Sequence, residues 1–129
     1  PGQGTANTLF RLHNTYLELL APEGDGPLGR MLAARLESHG EGPLGLAFAT
    51  RDLEAAHAEL TARGLAPAPV SPGLGRDVDS GLIRRWRTAF LPIERTRGVL
   101  LLAIEHSSPE TRIATRSRGS RLRWSARRR

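Results

Sequence analysis

The chain has no cysteine, so it can form no disulfide and offer no thiolate to a metal. It has no lysine either: every basic residue is arginine, a bias that fits a source rich in G and C codons better than a selected chemistry. No apolar run approaches the length of a membrane span, and no charged–apolar–small segment opens the chain. A soluble cytoplasmic protein is the expectation. The chain opens on Pro1 rather than Met, as a fragment or a processed product would. Its 129 residues suffice for one domain with a real core and leave no room for two.

The formal charge of +6 is unevenly placed. Residues 1–106 are close to neutral, whereas residues 107–129 carry arginines against the single Glu110. The body is neutral and the basicity is an appendage. That tail has no period that would bury anything and has the composition of a disordered segment. Clustered arginines could neutralise phosphates, but Trp124 is its only aromatic for base stacking. The other reading, which we favour, is that Arg/Ser-rich sequence of this kind is accidental, as a shifted frame in GC-rich DNA would encode.

The organising stretch is Gly45 to Leu65. Gly45–Thr50 is short and apolar, as a packed strand should be. Thr50 and Asp52 supply oxygens for the free amides of a helix start, and Glu54 favours the positive end of the dipole. Leu53, Ala56 and Leu60 form one apolar stripe. Arg63 suits the helix end, and Gly64 can take the left-handed conformation that closes it.

Upstream, Thr5–Leu12 and Thr15–Leu20 read as a hairpin turning at His13-Asn14, with Tyr16, Glu18 and Leu20 on one face. A helix is expected over 28–38, with Leu28, Met31, Leu32 and Leu36 on one side. Downstream, Ala66–Val70 reads as a Pro-interrupted edge strand and Ser71–Ser80 as a long loop. Strands follow over 82–91 and 99–106, joined through Pro92–Gly98. The last is apolar on both faces and must be covered on both.

Two acidic residues occupy related places, Glu18 in TYLELLAP and Glu105 in LAIEHSSP. Together with GQGTAN, the strand–helix segment GLAFATRDLEAAHAELTARG and WRTAF…GVLLLAIEH, they make residues 1–106 resemble the vicinal oxygen chelate superfamily. This is the group of glyoxalase, bleomycin-resistance and extradiol-dioxygenase-like proteins, and the likeness is to its glyoxalase-like branch. The resemblance implies an α+β fold of paired βαβββ modules enclosing a cavity. Here the first module (1–40) lacks its opening strand and helix, and the second (44–106) is complete. The family's divalent metal is typically held by a His in a module's first strand and a Glu in its last. Glu18 and Glu105 match the Glu positions, whereas the second-module His position is Gly45. The implied cofactor is therefore none, or a divalent metal held weakly by Glu18 and Glu105.

Without a metal, carboxylates in a partly apolar cavity would have raised pKa values and could act as general acid or base. The competing reading leaves both at strand ends, solvated or bonded to backbone amides. Arg85 and Arg87 flank Trp86, an arrangement suited to holding an anion beside an aromatic plate. The alternative there is a core Trp between solvated arginines. Tyr16 adds a hydroxyl beside Glu18, and Asn7 could aim an amide at a ligand. The histidines form no ligand set; His106 lies near the expected cavity, but alternation points it away from Glu105's side. No catalytic triad or phosphate-loop spacing is visible.

These features give Glu105 and Glu18 as catalytic candidates and Asn7, Tyr16, Trp86 and Arg87 as substrate-binding candidates. The expected function is binding, or chemistry upon, an oxygen-bearing metabolite in a cavity lined by Glu18 and Glu105. The alternatives are a non-catalytic binder that sequesters a drug or metabolite, and, less favoured, nucleic-acid association through the tail. The truncated module leaves a sheet edge open, which predicts a homodimer.

Overall fold

A computed structural model describes residues 3–13 and 15–107. The Arg-rich tail beyond Ser107, and with it any nucleic-acid role, lies outside the described residues, as do Pro1, Gly2 and Asn14.

The chain opens with a hairpin, β1 (Thr5–Arg11) and β2 (Tyr16–Pro22), paired antiparallel with Leu9 opposite Glu18 and Arg11 opposite Tyr16. The helix α1 (Pro27–His39) starts with Pro27 in its first turn, where the missing N–H costs nothing. It is tied to the hairpin's entry by Gly29 N–H donating to Gln3 O at 2.9 Å. Of its apolar stripe only Leu32 is fully buried, while Met31 and Leu36 stay exposed.

The second half is a four-stranded sheet in the order β3-β6-β5-β4. Its strands are β3 (Gly45–Ala49), β4 (Ser71–Arg76), β5 (Ile83–Phe90) and β6 (Leu100–His106). β3 pairs parallel with β6, and the other two pairings are antiparallel. Between β3 and β4 comes α2 (Leu53–Ala62). Its start is as the sequence predicts: Asp52 is the N-cap and accepts from Ala55 N–H at 2.9 Å. Beyond its end Gly64 has φ +75°.

Helix α2 lies on one face of the sheet. Leu53, 0% exposed, packs there against Ala89 and Ala103, with Val70 completing the cluster. The small alanines at the sheet centre let the helix approach closely. The opposite face is covered too, since Thr88 and Ile104 on it are buried. The two-faced burial expected of the last strand is therefore met, by Ala103 on one side and Ile104 on the other.

One expectation is overturned. The edge strand is not Ala66–Val70 but Ser71–Arg76, within the stretch expected as loop. Pro67 and Pro69 remove alternate donors, so Ala68 alone bonds the sheet, through its N–H to Phe90 O at 2.7 Å. Gly73 and Gly75, which suggested a loop, are required by what lies above them. A Cβ at Gly73 would stand 2.0 Å from Trp86 Nε1, and one at Gly75 would stand 3.0 Å from Trp86 Cη2. The glycines form a bed for the indole ring, and Pro72 is tolerated because β4 is an edge strand.

Candidate functional site

Alternation along β5 and β6 sorts the candidate residues between two faces. Arg87, Ala89, Ala103 and Glu105 share the α2 face; Arg84, Trp86, Thr88, Ile104 and His106 share the other. The sheet register places Gly73, Trp86 and His106 in one row across β4, β5 and β6.

Glu105 is corrected first. Its carboxylate accepts from Leu53 N–H at 2.8 Å and from Arg87 Nη2 at 2.9 Å. Arg87 reaches on to Glu54 of α2. Glu105 thus caps the N-terminus of α2 from the sheet, satisfying an amide the helix cannot. Those bonds, the Leu53 amide first and the Arg87 guanidinium next, hold its pKa below the usual carboxylate value, the reverse of the rise expected in an apolar cavity. Arg87 is corrected with it: its pKa is raised, chiefly by the bond to Glu105, and it faces away from Trp86. Glu105 and Arg87 thus lie on the α2 face, opposite to Trp86 and His106.

Asn7, Tyr16 and Glu18 are brought together. They lie on one face of the hairpin, and the Asn7 amide donates to Glu18 Oε1 at 2.5 Å. Tyr16 has a raised pKa, through burial first and the Glu18 charge second, with Arg84 opposing. His106 has a lowered pKa, through burial first and Arg84 second, with Glu18 opposing. The hairpin's polar face and the sheet's non-helical face are thus within electrostatic reach of one another. The Glu18 charge acts on His106 at a distance.

Arg84 is not singled out by the sequence, and His106 is set aside there by alternation. Both ring nitrogens of His106 and Nε of Arg84 are shielded from solvent without a hydrogen-bond partner among the described residues. Unsatisfied polar atoms in such a place are costly. The alternation that separates His106 from Glu105 was visible in LAIEH; which side α2 would take was not. Two hollows among the described residues lie elsewhere. One of about 340 Å³ runs beside α2 and β3, lined by Phe48, Leu60 and Leu102 among others. The other, of about 220 Å³, lies between α1 and the Ile93–Leu100 connection.

The residues present do not fit the family's metal. No three His, Cys, Asp or Glu side chains gather among the described residues. At Gly45, where the resemblance implies a His, a side chain has no room: a Cβ would stand 2.0 Å from Leu100 O. Two acceptors, Glu18 and His106, are fewer than the three or four protein ligands a firm site takes.

Comparison with known proteins supports the fold and the family. Comparison with proteins of curated function returns no match. Among solved structures, a variant of Streptomyces coelicolor methylmalonyl-CoA epimerase in complex with 2-nitronate-propionyl-CoA is 26% identical at a TM-score of 0.60, over 82% of this chain and 73% of that one. A hypothetical protein from Bacillus halodurans C-125 has a TM-score of 0.63 at 24% identity, over 82% and 70%. The Mycobacterium tuberculosis methylmalonyl-CoA epimerase has a TM-score of 0.55 at 22% identity, over 84% and 66%. The last two bear on the fold alone. The family model for the glyoxalase-like domain matches residues 1–125. With its βαβββ sheet, its preceding hairpin and this match, the chain belongs to the glyoxalase-like domain family of the vicinal oxygen chelate superfamily.

Proposed function

We propose that the protein is a small-molecule enzyme whose site is the face shared by Tyr16, Glu18, Arg84 and His106, and that its chemistry is proton transfer beside a carbonyl oxygen. The carrying observation is His106: its ring nitrogens are shielded and unpartnered among the described residues, and burial and Arg84 lower its pKa. A neutral imidazole can accept a proton, and the Glu18 charge nearby steadies the imidazolium that forms. Arg84 supplies a fixed positive charge for the oxygen on which negative charge develops. Asn7 orients Glu18, and Tyr16, kept protonated, is a hydroxyl donor. The epimerases at 26% identity, one solved with methylmalonyl-CoA and one with 2-nitronate-propionyl-CoA, support an acyl compound as the kind of molecule handled.

The test is exchange of solvent deuterium into the carbon beside the carbonyl, followed by proton NMR, for methylmalonyl-CoA and a panel of 2-oxo acids. We expect exchange above the buffer rate, falling about 10²- to 10⁴-fold in His106→Gln. Exchange at the buffer rate for every compound, or an unaffected His106→Gln, overturns the reading. A second reading, a binder that sequesters its ligand without chemistry, draws on the half-buried Trp86 beside Arg84. Saturable binding with no exchange would select it.

We propose in addition that the chain self-associates. Phe10, Leu17 and Leu19 share one face of the hairpin and are 49%, 56% and 56% exposed. Both hairpin strands and β3 leave open edges. No helix among the described residues is long and apolar enough to cross a membrane.

A further inference from the structure

From the bed that β4 makes for Trp86 we infer a ligand class for the proposed site: a planar aromatic carboxylate, its ring stacked on the Trp86 indole and its carboxylate against Arg84. This rests on the reading of the His106 face as the small-molecule site and goes beyond it by naming what is recognised.

The indole is laid flat along a strand. Hypothetical Cβ atoms at Gly73 and Gly75 would meet opposite ends of the ring, at 2.0 Å from Nε1 and 3.0 Å from Cη2. One ring face is therefore pressed onto backbone that carries no side chain. Trp86 as a whole is of intermediate exposure, neither buried nor fully exposed. A core tryptophan packs side chains on both faces; a tryptophan backed by glycines has one face that meets only backbone. Stacking on it favours a flat π-system over a saturated ring of equal size.

Charge selects the rest of the ligand. Arg84 is two residues before Trp86 on the same face and opposite Gly75, the glycine that lies under the ring's Cη2 end. Its Nε is shielded and has no partner among the described residues. Asp77 and the Tyr16 hydroxyl are within electrostatic reach of Arg84, and neither is hydrogen-bonded to it among the described residues. A carboxylate matches a guanidinium in both charge and geometry. His106 is across from Trp86 in β6, on the same face of the sheet.

The test is calorimetric titration of the full chain with three probes: 2-naphthoate, the saturated decalin-2-carboxylate, and the neutral 2-naphthamide. We expect 2-naphthoate to bind about tenfold or more tightly than either of the others. Trp86→Leu should remove its advantage over decalin-2-carboxylate, and Arg84→Gln its advantage over 2-naphthamide. Trp86→Phe, which keeps a smaller plate, should fall between and guards against a misfolded Leu variant. Equal binding of 2-naphthoate and decalin-2-carboxylate, still dependent on Arg84, overturns the aromatic class and leaves the site standing. Absence of saturable binding by any probe, or binding indifferent to Arg84→Gln and His106→Gln, overturns both.

Discussion

If β4 is a glycine bed for Trp86, adding one methyl at Gly73 should disturb the molecule far more than the same methyl at Gly75. At Gly73 the new carbon would lie 2.0, 2.4 and 2.7 Å from Nε1, Cε2 and Cδ1 of the indole. Ordinary carbon contact begins near ~3.5 Å, so the ring or the strand must retreat by roughly 1.5 Å. Overpacking of this size costs ~1–3 kcal/mol. Replacing glycine in the unfolded chain returns ~0.4–1 kcal/mol. Gly73→Ala should therefore lose about 1–2 kcal/mol, a fall in Tm of roughly 3–6 °C for a chain this size. At Gly75 the closest ring atoms are 3.0 and 3.2 Å away, a few tenths of an ångström from comfort. Gly75→Ala should then stay within ~0.5 kcal/mol of the parent. Urea unfolding gives both values, and near-ultraviolet circular dichroism reports the ring, Trp124 being common to all variants. A Gly73→Ala protein with unchanged stability and an unchanged tryptophan signal would refute the stacked geometry.

Leu53 is the one large side chain wholly withdrawn from solvent among the described residues, and Leu53→Ala should cost ~2–5 kcal/mol in urea unfolding. Glu105 has a lowered pKa in the folded chain, so its contribution is present above the ordinary carboxylate range and is lost as pH falls through its lowered folded value. Glu105→Gln should accordingly be less stable than the parent at neutral pH, and the two melting curves should converge in acid. Sedimentation at micromolar concentration should show a dimer, and Leu17→Glu with Leu19→Glu should return it to monomer.

The second module was legible because its local signals agree. A capped helix start at Asp52, a stripe at 53, 56 and 60, and a glycine stop follow from elementary capping and periodicity, and the helix forms where they put it. The edge strand was not legible. Glycine at 73 and 75 weakens any local strand signal, and its reason is a tryptophan that packs from the next strand. The site was half legible for a similar reason. Period two correctly set Glu105 and His106 on opposite faces, but no local rule says which face a helix will cover. The competing reading of Glu105, a strand-end carboxylate bonded to a backbone amide, is the one the fold adopts. Asn7, Tyr16 and Glu18 were readable as neighbours because a hairpin is local; Arg84 depended on the same choice of face as His106.

The central claim is that His106, and not Glu105, looks toward Glu18. Its most direct measurement is the NMR titration of the His106 ring proton in the parent, Glu18→Gln and Glu105→Gln proteins. The Glu18 charge raises the His106 pKa against the lowering by burial and Arg84. Glu18→Gln should therefore drive that pKa lower still, while Glu105→Gln leaves it in place. A His106 indifferent to Glu18 and responsive to Glu105 would contradict the account.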